Sequence, residues 1–256
     1  MGPLSSHGFQ IPRGIDIPSG LPPRLGPMMV AGLFLGTIGW AVYDFRDWVD
    51  FGTGGTPPTF RGWLSVNRLR VVRAIHYLGG DDLQNSARVP LTGPQFLSSP
   101  LPQRSGGPPT MKPRPLPQRQ CPEPIEQRAQ ETLNSLLSEI HAQYPDRLQL
   151  GKSKVEGGAA DAIFARAEAG PWNPQVVRLG YELAHIHSVD RSLHIFISPA
   201  DARTVIDARW GRRFANPSLT PPGWIMVYAP RNTEEVEQVR QILKAVLQWS
   251  MFITEG

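Results

Sequence analysis

The apolar positions of this chain change period along its length, and the changes divide it into segments. Leu25 to Tyr43 is a run of nineteen residues without a charge, close to the ~20 that cross a bilayer core as a helix. Trp40 and Tyr43 stand at its end, where aromatic side chains gather at a membrane interface. Gly32-Leu-Phe-Leu-Gly36 has the spacing of a close helix–helix contact. The competing readings are a secretory signal and a buried core helix. The run is long for a signal sequence and lacks a convincing small-x-small cleavage site. Its glycines and Pro27 disfavour a soluble helix. The expectation is a single-pass membrane anchor over 25–43, behind an N-terminal tail at 1–24. Arg13 and Arg24 precede the span and Arg46 and Arg61 follow it, which tips the orientation only slightly toward a lumenal domain. The endoplasmic reticulum is the candidate compartment.

Downstream, Leu64, Leu69, Val72, Ile75 and Tyr77 give a broken helical period, so 44–87 reads as a juxtamembrane helical region. From 88 to 124 prolines are dense and periodicity vanishes. This predicts an extended connector, either ordered or a disordered linker. The remainder, 125–256, alternates helical and strand-like patterns. Ile125, Ala129, Leu133, Leu136, Leu137 and Ile140 share one helical face, and Pro145 ends that helix. Leu148 to Glu156 and Asp161 to Ala167 read as a hairpin around Gly157-Gly158. Val176 to His187 and Leu193 to Ser198 read as two more strands. Ser198-Pro199-Ala-Asp201 has the cap, first-turn proline and acidic residue of a helix start, with the helix running to about Trp210. Trp224 to Tyr228 reads as a buried strand. A last helix, Glu234 to about Met251, keeps a 3.6-residue period through Val236, Val239, Ile242, Leu243, Val246 and Leu247. Adjacent strands with few intervening helices exclude a Rossmann-like parallel sheet. The fold class expected is α+β, a mostly antiparallel sheet flanked by helices and preceded by one N-terminal transmembrane helix.

Composition narrows the function. The chain has 256 residues, enough for a sizeable core, and its 25 glycines and 27 prolines leave much of it as loop. A net charge of +4 is modest, and the basic residues form no stripe interleaved with aromatics, so nucleic-acid binding is not expected. The single cysteine, Cys121, excludes an internal disulfide framework and a cysteine-based zinc cluster. There is no phosphate-binding glycine loop and no nucleophile elbow. Nothing in the pattern speaks to oligomeric state.

The chemistry concentrates in Glu182-Leu-Ala-His185-Ile-His187-Ser-Val-Asp-Arg-Ser-Leu-His194, which holds three of the six histidines. Alternation puts His185 and His187 on one side of a strand, and a returning partner strand brings His194 to them. Imidazole changes charge near neutral pH and is the commonest metal ligand, so the patch points to acid–base or metal chemistry. His76 and His141 read as surface or linker residues.

This series continues through Trp210-Gly211-x-Arg213 and Tyr228-Ala-Pro-Arg231-Asn-x-Glu-Glu235. In that order it resembles the fungal luciferase family, the membrane-anchored enzymes of bioluminescent mushrooms and their non-luminous relatives. The resemblance covers most of the chain, including the N-terminal span, Phe60-Arg-Gly-Trp, Gln118-Arg-Gln and Ser153-Lys-x-Glu156. For light-emitting members it implies oxygenation of 3-hydroxyhispidin, a hydroxylated pyrone, by O2, with loss of CO2 from an endoperoxide. It implies no flavin, nicotinamide or metal. The pattern departs at two points. Phe214 follows the arginine of Trp-Gly-x-Arg and Gly158 lies two residues after Glu156, where luminous members carry histidine. The loop between His187 and His194 is also one residue shorter. A non-luminous relative with a different substrate or reaction is therefore expected.

A cofactor-free oxygenase needs a base that makes an electron-rich enolate able to pass an electron to O2. The expectation is His185 or His187 as base, the other binding the enol oxygen, and His194 completing the patch. Arg231 and Arg213 are candidates to hold an oxyanion or a substrate carboxylate. Tyr228 is a candidate hydrogen-bond donor, and Trp210 and Trp224 are candidate walls of an aromatic pocket. Each has a plainer reading: Arg231 as a strand-to-helix bridge, and Tyr228, Trp210 and Trp224 as core. Glu182, three residues before His185, points away on a regular strand; it either orients a histidine from a bulge or turn or is simply a surface group. Two other classes stay open. One is a divalent metal on His185, His187 and His194, with Glu182 or Asp190 as an acidic fourth ligand. The other is a non-catalytic small-molecule binding protein holding a lipid or pigment.

Overall fold

The computed structural model describes residues 25–76, 82–216 and 218–253. The tail expected at 1–24 and the side chain of His76 lie outside them. Helix α1, Leu25–Phe51, carries the apolar run and extends it by two turns into Asp44, Asp47 and Asp50. It is long and apolar enough to cross a membrane. Met28, Val30, Leu33, Phe34 and Leu35 along it are exposed, unlike the side chains of a core helix.

Asp47–Gly256 forms a compact unit. It opens with α2, Phe60–His76, and continues through the proline-rich stretch to α3, Gln127–Gln143. The hairpin expected around Gly157-Gly158 is present as β1, Leu148–Lys152, and β2, Asp161–Ala165. The expected strand from Val176 splits. Asn173 accepts a hydrogen bond from the Gln175 amide at 3.0 Å and Pro174 takes the first helical position, so Pro174–Arg178 is a short helix, α4. Only Glu182–Ile186 is strand, β3, followed by β4, Leu193–Phe196. Ser198 caps α5, Pro199–Asp207, by accepting from the Asp201 amide at 3.1 Å. This helix ends before Trp210 because Gly211–Arg213 forms strand β5, unforeseen in the pattern at three residues long. Gly211 is needed there, since a Cβ would lie 2.3 Å from the Met226 carbonyl oxygen. Strand β6, Trp224–Val227, and helix α6, Thr233–Met251, complete the chain.

The six strands form one antiparallel sheet in the order β1-β2-β3-β4-β6-β5. Its register separates core from site. Ile163, Ala184, Ile195 and Ile225 stand abreast and join the core with Leu133, Leu136 and Ile140 of α3 and Val239, Ile242 and Val246 of α6. The next row, one residue along and so on the opposite face, is Ala162, His185, His194 and Met226. Burying the isoleucines against two helices therefore forces both histidines to the other side.

That other side is covered by the proline-rich stretch. Met111 bridges to Gln120, and the Lys112 and Cys121 amides donate to Arg119 and Thr110 carbonyls, closing a narrow loop. The Gln120 amide donates to Asp190 at 2.9 Å, and its side chain accepts from the Ala229 amide at 2.9 Å. Of the two readings of the connector, the ordered one describes these residues: Arg104, Arg114, Gln118, Arg119 and Gln120 are all buried.

Candidate functional site

His185 and His194 face each other across the β3–β4 pair, and His187 follows immediately on β3. The three ring centroids are 5.0–5.2 Å apart, a near-equilateral triangle. All three side chains are buried. The sequence expectation of one patch is met in position, and the detail lies in what surrounds each ring.

Glu182 reaches His185 because the pairing with β2 is irregular. Ile163 pairs with Ala184 but Phe164 pairs with Glu182, leaving Leu183 as an extra residue. The bulge turns Glu182 onto the histidine face. Its Oε1 lies 2.6 Å from His185 Nδ1, and Ser153 donates to the same oxygen at 2.8 Å. His187 is held by a parallel relay. Its Nδ1 lies 2.8 Å from Ser192 Oγ, which donates to Asp190 Oδ2 at 2.8 Å. The two remaining nitrogens, His185 Nε2 and His187 Nε2, are 3.1 Å apart.

The turn between β1 and β2 adds a carboxylate. Glu156 Oε1 lies 3.5 Å from His185 Nε2 and 3.7 Å from His187 Nε2, while its other oxygen accepts from Arg119. Backbone packing fixes this turn. Gly157, at φ +61°, sits where a Cβ would be 3.0 Å from Gly55 Cα, and a Cβ on Gly55 would be 2.6 Å from the Val155 carbonyl oxygen. Glu156 is a site residue that the sequence reading placed only within a matching motif. Its role needed the β1–β2 turn to fold back over the sheet.

Burial works against the charged form of His185, but the hydrogen bonds and charges of Glu156 and Glu182 outweigh it and raise its pKa above the usual value. His194 has no carboxylate neighbour of that kind. Burial first, then the charges of His185 and Arg119, push its pKa well below the usual value, so its ring is neutral. Burial also raises the Asp190 carboxyl, against Arg119 and its hydrogen bonds from Ser192 and Gln120.

A cavity of about 370 Å³ opens beside the cluster. Leu116, Pro117, Leu179, Phe214, Leu219 and Trp224 give it apolar walls, and Gln118, Glu156, Glu182 and His194 supply polar groups. His194 Nε2 and Gln118 Oε1 are buried without a hydrogen-bond partner. Phe214 meets His194 edge-on at 5.3 Å and Trp224 does so at 6.1 Å. His194, rather than His185 or His187, is thus the imidazole on the cavity wall.

The other expected site residues lie elsewhere. Tyr228 is buried, accepts from Gln84 at 3.2 Å and lies under Arg104. Trp210 donates to the Pro102 carbonyl at 2.7 Å. Arg231 binds Glu235 and Ser105, the strand-to-helix bridge that was its plainer reading. Arg213 donates to the Asp82 carbonyl at 3.1 Å. None of these four lines the cavity, whereas Trp224 and Glu182 do.

A scan of family models matches a Luciferase domain over residues 180–246, the segment that carries all three histidines. The chain is 30% identical to a luciferase of Armillaria mellea over 231 residues, covering 79% of this chain and 80% of that one. It is 30% identical to a luciferase of Armillaria gallica, with the same coverage, and 29% identical to one of Neonothopanus nambi over 79% of this chain and 78% of that one. No solved structure matches.

Proposed function

Because this chain belongs to the fungal luciferase family, we propose that it is a membrane-anchored enzyme converting an enol-bearing, pyrone- or polyketide-like small molecule. The enol proton is lost at the histidine cluster, and the resulting enolate reacts with O2. In its simplest form this chemistry needs no organic cofactor. The neutral His194 ring accepts a hydrogen bond from the enol and orients it, and the enolate supplies the electrons. The carrying observation is His194, which lines a cavity with apolar sides and whose Nε2 is buried with no protein partner. A buried polar atom without a partner costs about 1–3 kcal/mol, a penalty that a substrate hydroxyl donating to it removes. Gln118 Oε1 offers a second such acceptor, so the cavity suits a molecule with more than one hydroxyl. Helix α1 supplies the anchor, which favours substrates that partition toward membranes.

Light emission is not part of the proposal. Phe214 makes a T-shaped contact with His194 where luminous relatives are expected to carry histidine, and Gly158 leaves open space at the second such position. The test is turnover of a panel of hydroxylated pyrones by the full chain, with and without O2, followed by oxygen uptake, product mass and photon counting. The expected result is O2-dependent conversion in the dark. Conversion that proceeds equally without O2 removes the oxygenase step and leaves the acid–base step. Binding without any conversion replaces the enzyme by a binding protein.

A further inference from the structure

The hydrogen bonds around the cluster fix where its protons are. The Glu182 carboxylate accepts only, so His185 donates to it through Nδ1, which leaves Nε2 as the nitrogen that can take a proton or a metal ion. Ser192 has one hydroxyl hydrogen and gives it to Asp190, so its oxygen accepts from His187 Nδ1, and in the neutral ring His187 Nε2 is the ligating nitrogen. These two nitrogens face each other at 3.1 Å, close enough to share a proton or to meet at one metal ion. Glu156 Oε1, a third acceptor, lies within 3.7 Å of both nitrogens. His194 Nε2, a fourth, is buried and unpartnered. One ligand atom from each of the three histidines falls within 4.8 Å of the others. Three imidazole nitrogens and a carboxylate converging in a buried interior call for positive charge among them, which a proton or a metal ion supplies.

We infer that His185, His187, His194 and Glu156 together bind one divalent first-row transition-metal ion. The spacing is near what is needed: tetrahedral ligands at about 2.0–2.2 Å from such an ion lie roughly 3.3–3.6 Å apart, the two facing nitrogens are at 3.1 Å, and the three histidine atoms fall within 4.8 Å. The outer contacts agree as well. A metal-bound histidine usually donates its other N–H to a carboxylate or a comparable acceptor, and a ligating carboxylate is itself hydrogen-bonded. His185 has Glu182, His187 has the Ser192–Asp190 relay, and Glu156 has Arg119. Glu182 and Asp190, the acidic ligands expected from sequence, thereby become groups that orient histidines, and Glu156 takes the ligand position. Three imidazoles and a carboxylate suit zinc, iron, nickel or copper rather than magnesium or calcium. His194 and Glu156 border the cavity, so the ion would be accessible to a substrate's enolate oxygen. The inference keeps the pocket and substrate class of the function proposed above and replaces its metal-free base with an ion.

The test reads metal and turnover separately. Full-length protein in detergent is analysed for metal content as purified, then chelated and titrated with Co2+ alone in the absence of substrate. The expected result is about one ion per chain and visible Co2+ absorption bands that saturate at one equivalent. His187→Ala should abolish the bands, Glu156→Gln should weaken binding at least tenfold, and Asp190→Asn should weaken it about 10–100-fold. Glu156→Gln keeps the shape of the side chain, and a circular dichroism spectrum matching the parent shows that the variant is folded. Absence of saturable Co2+ binding by folded protein overturns the inference, as does binding unchanged in both His187→Ala and Glu156→Gln. Chelated protein that turns over at the full rate also overturns it, while leaving the proposed enzyme intact. Stoichiometric metal with no conversion of any pyrone does the reverse.

Discussion

His194 and Tyr228 show how similar sequence signals part in the structure. Both stand on strands or strand ends within one resembling series, yet only His194 borders the cavity, while the Tyr228 hydroxyl is spoken for by Gln84. Tyr228→Phe should therefore leave KM and kcat for a substrate of the pocket within about threefold, since it removes no group that touches the pocket; Trp224→Ala should raise KM at least tenfold by opening one wall. Steady-state kinetics on the two variants checks both. The histidine triangle was legible because period-two alternation and a short return loop are sequence properties. Glu156, Arg119 and Ser192 were not, because each reaches the cluster through folding of a turn, a strap or a tight loop. Their types and positions do not announce this.

Local capping chemistry decided the elements wherever hydrophobic pattern was ambiguous. The stretch from Val176 reads as strand by its apolar residues, yet Asn173-Pro174 starts a helix there. The bulge at Leu183 was legible only as an option, and the structure shows why it matters: a regular strand would turn Glu182 away from His185. At the other end of the domain, Asn232 caps α6 by accepting from the Glu235 amide at 2.9 Å, and Glu235 accepts in turn from Arg231. Burial opposes the Glu235 charge, but hydrogen bonds from Arg231 and the charge of Arg104 win and lower its pKa. A carboxyl lowered in the folded state adds stability that is full above its unfolded pKa, about 4.3, and is lost as pH falls through the lower folded value. Glu235→Gln should thus destabilise the protein at neutral pH, and the gap from the parent should close as pH falls below about 4. Urea unfolding across that range measures it; a gap independent of pH contradicts the assignment.

On the scale of the whole molecule, the chain combines an exposed apolar helix with a sheet whose two faces do different work. One face is a packed core against α3 and α6; the other is a polar cluster under a proline-rich strap. Composition marked the strap as irregular, but only its hydrogen bonds to Asp190, Glu156 and Ala229 show that it roofs the site. The helix predicts behaviour in a cell extract. The full chain should sediment with membranes and resist carbonate and high salt, and detergent should release it. Release by salt alone contradicts a spanning anchor.

The central claim is that the cavity beside His194 is where an enol-bearing substrate reacts. It is tested most directly by O2-dependent turnover of the hydroxylated pyrone panel, comparing the parent with His194→Gln confirmed as folded by its circular dichroism and unfolding midpoint. The expected result is a loss of at least about 100-fold in kcat/KM. A folded His194→Gln protein that turns over at the parental rate contradicts it.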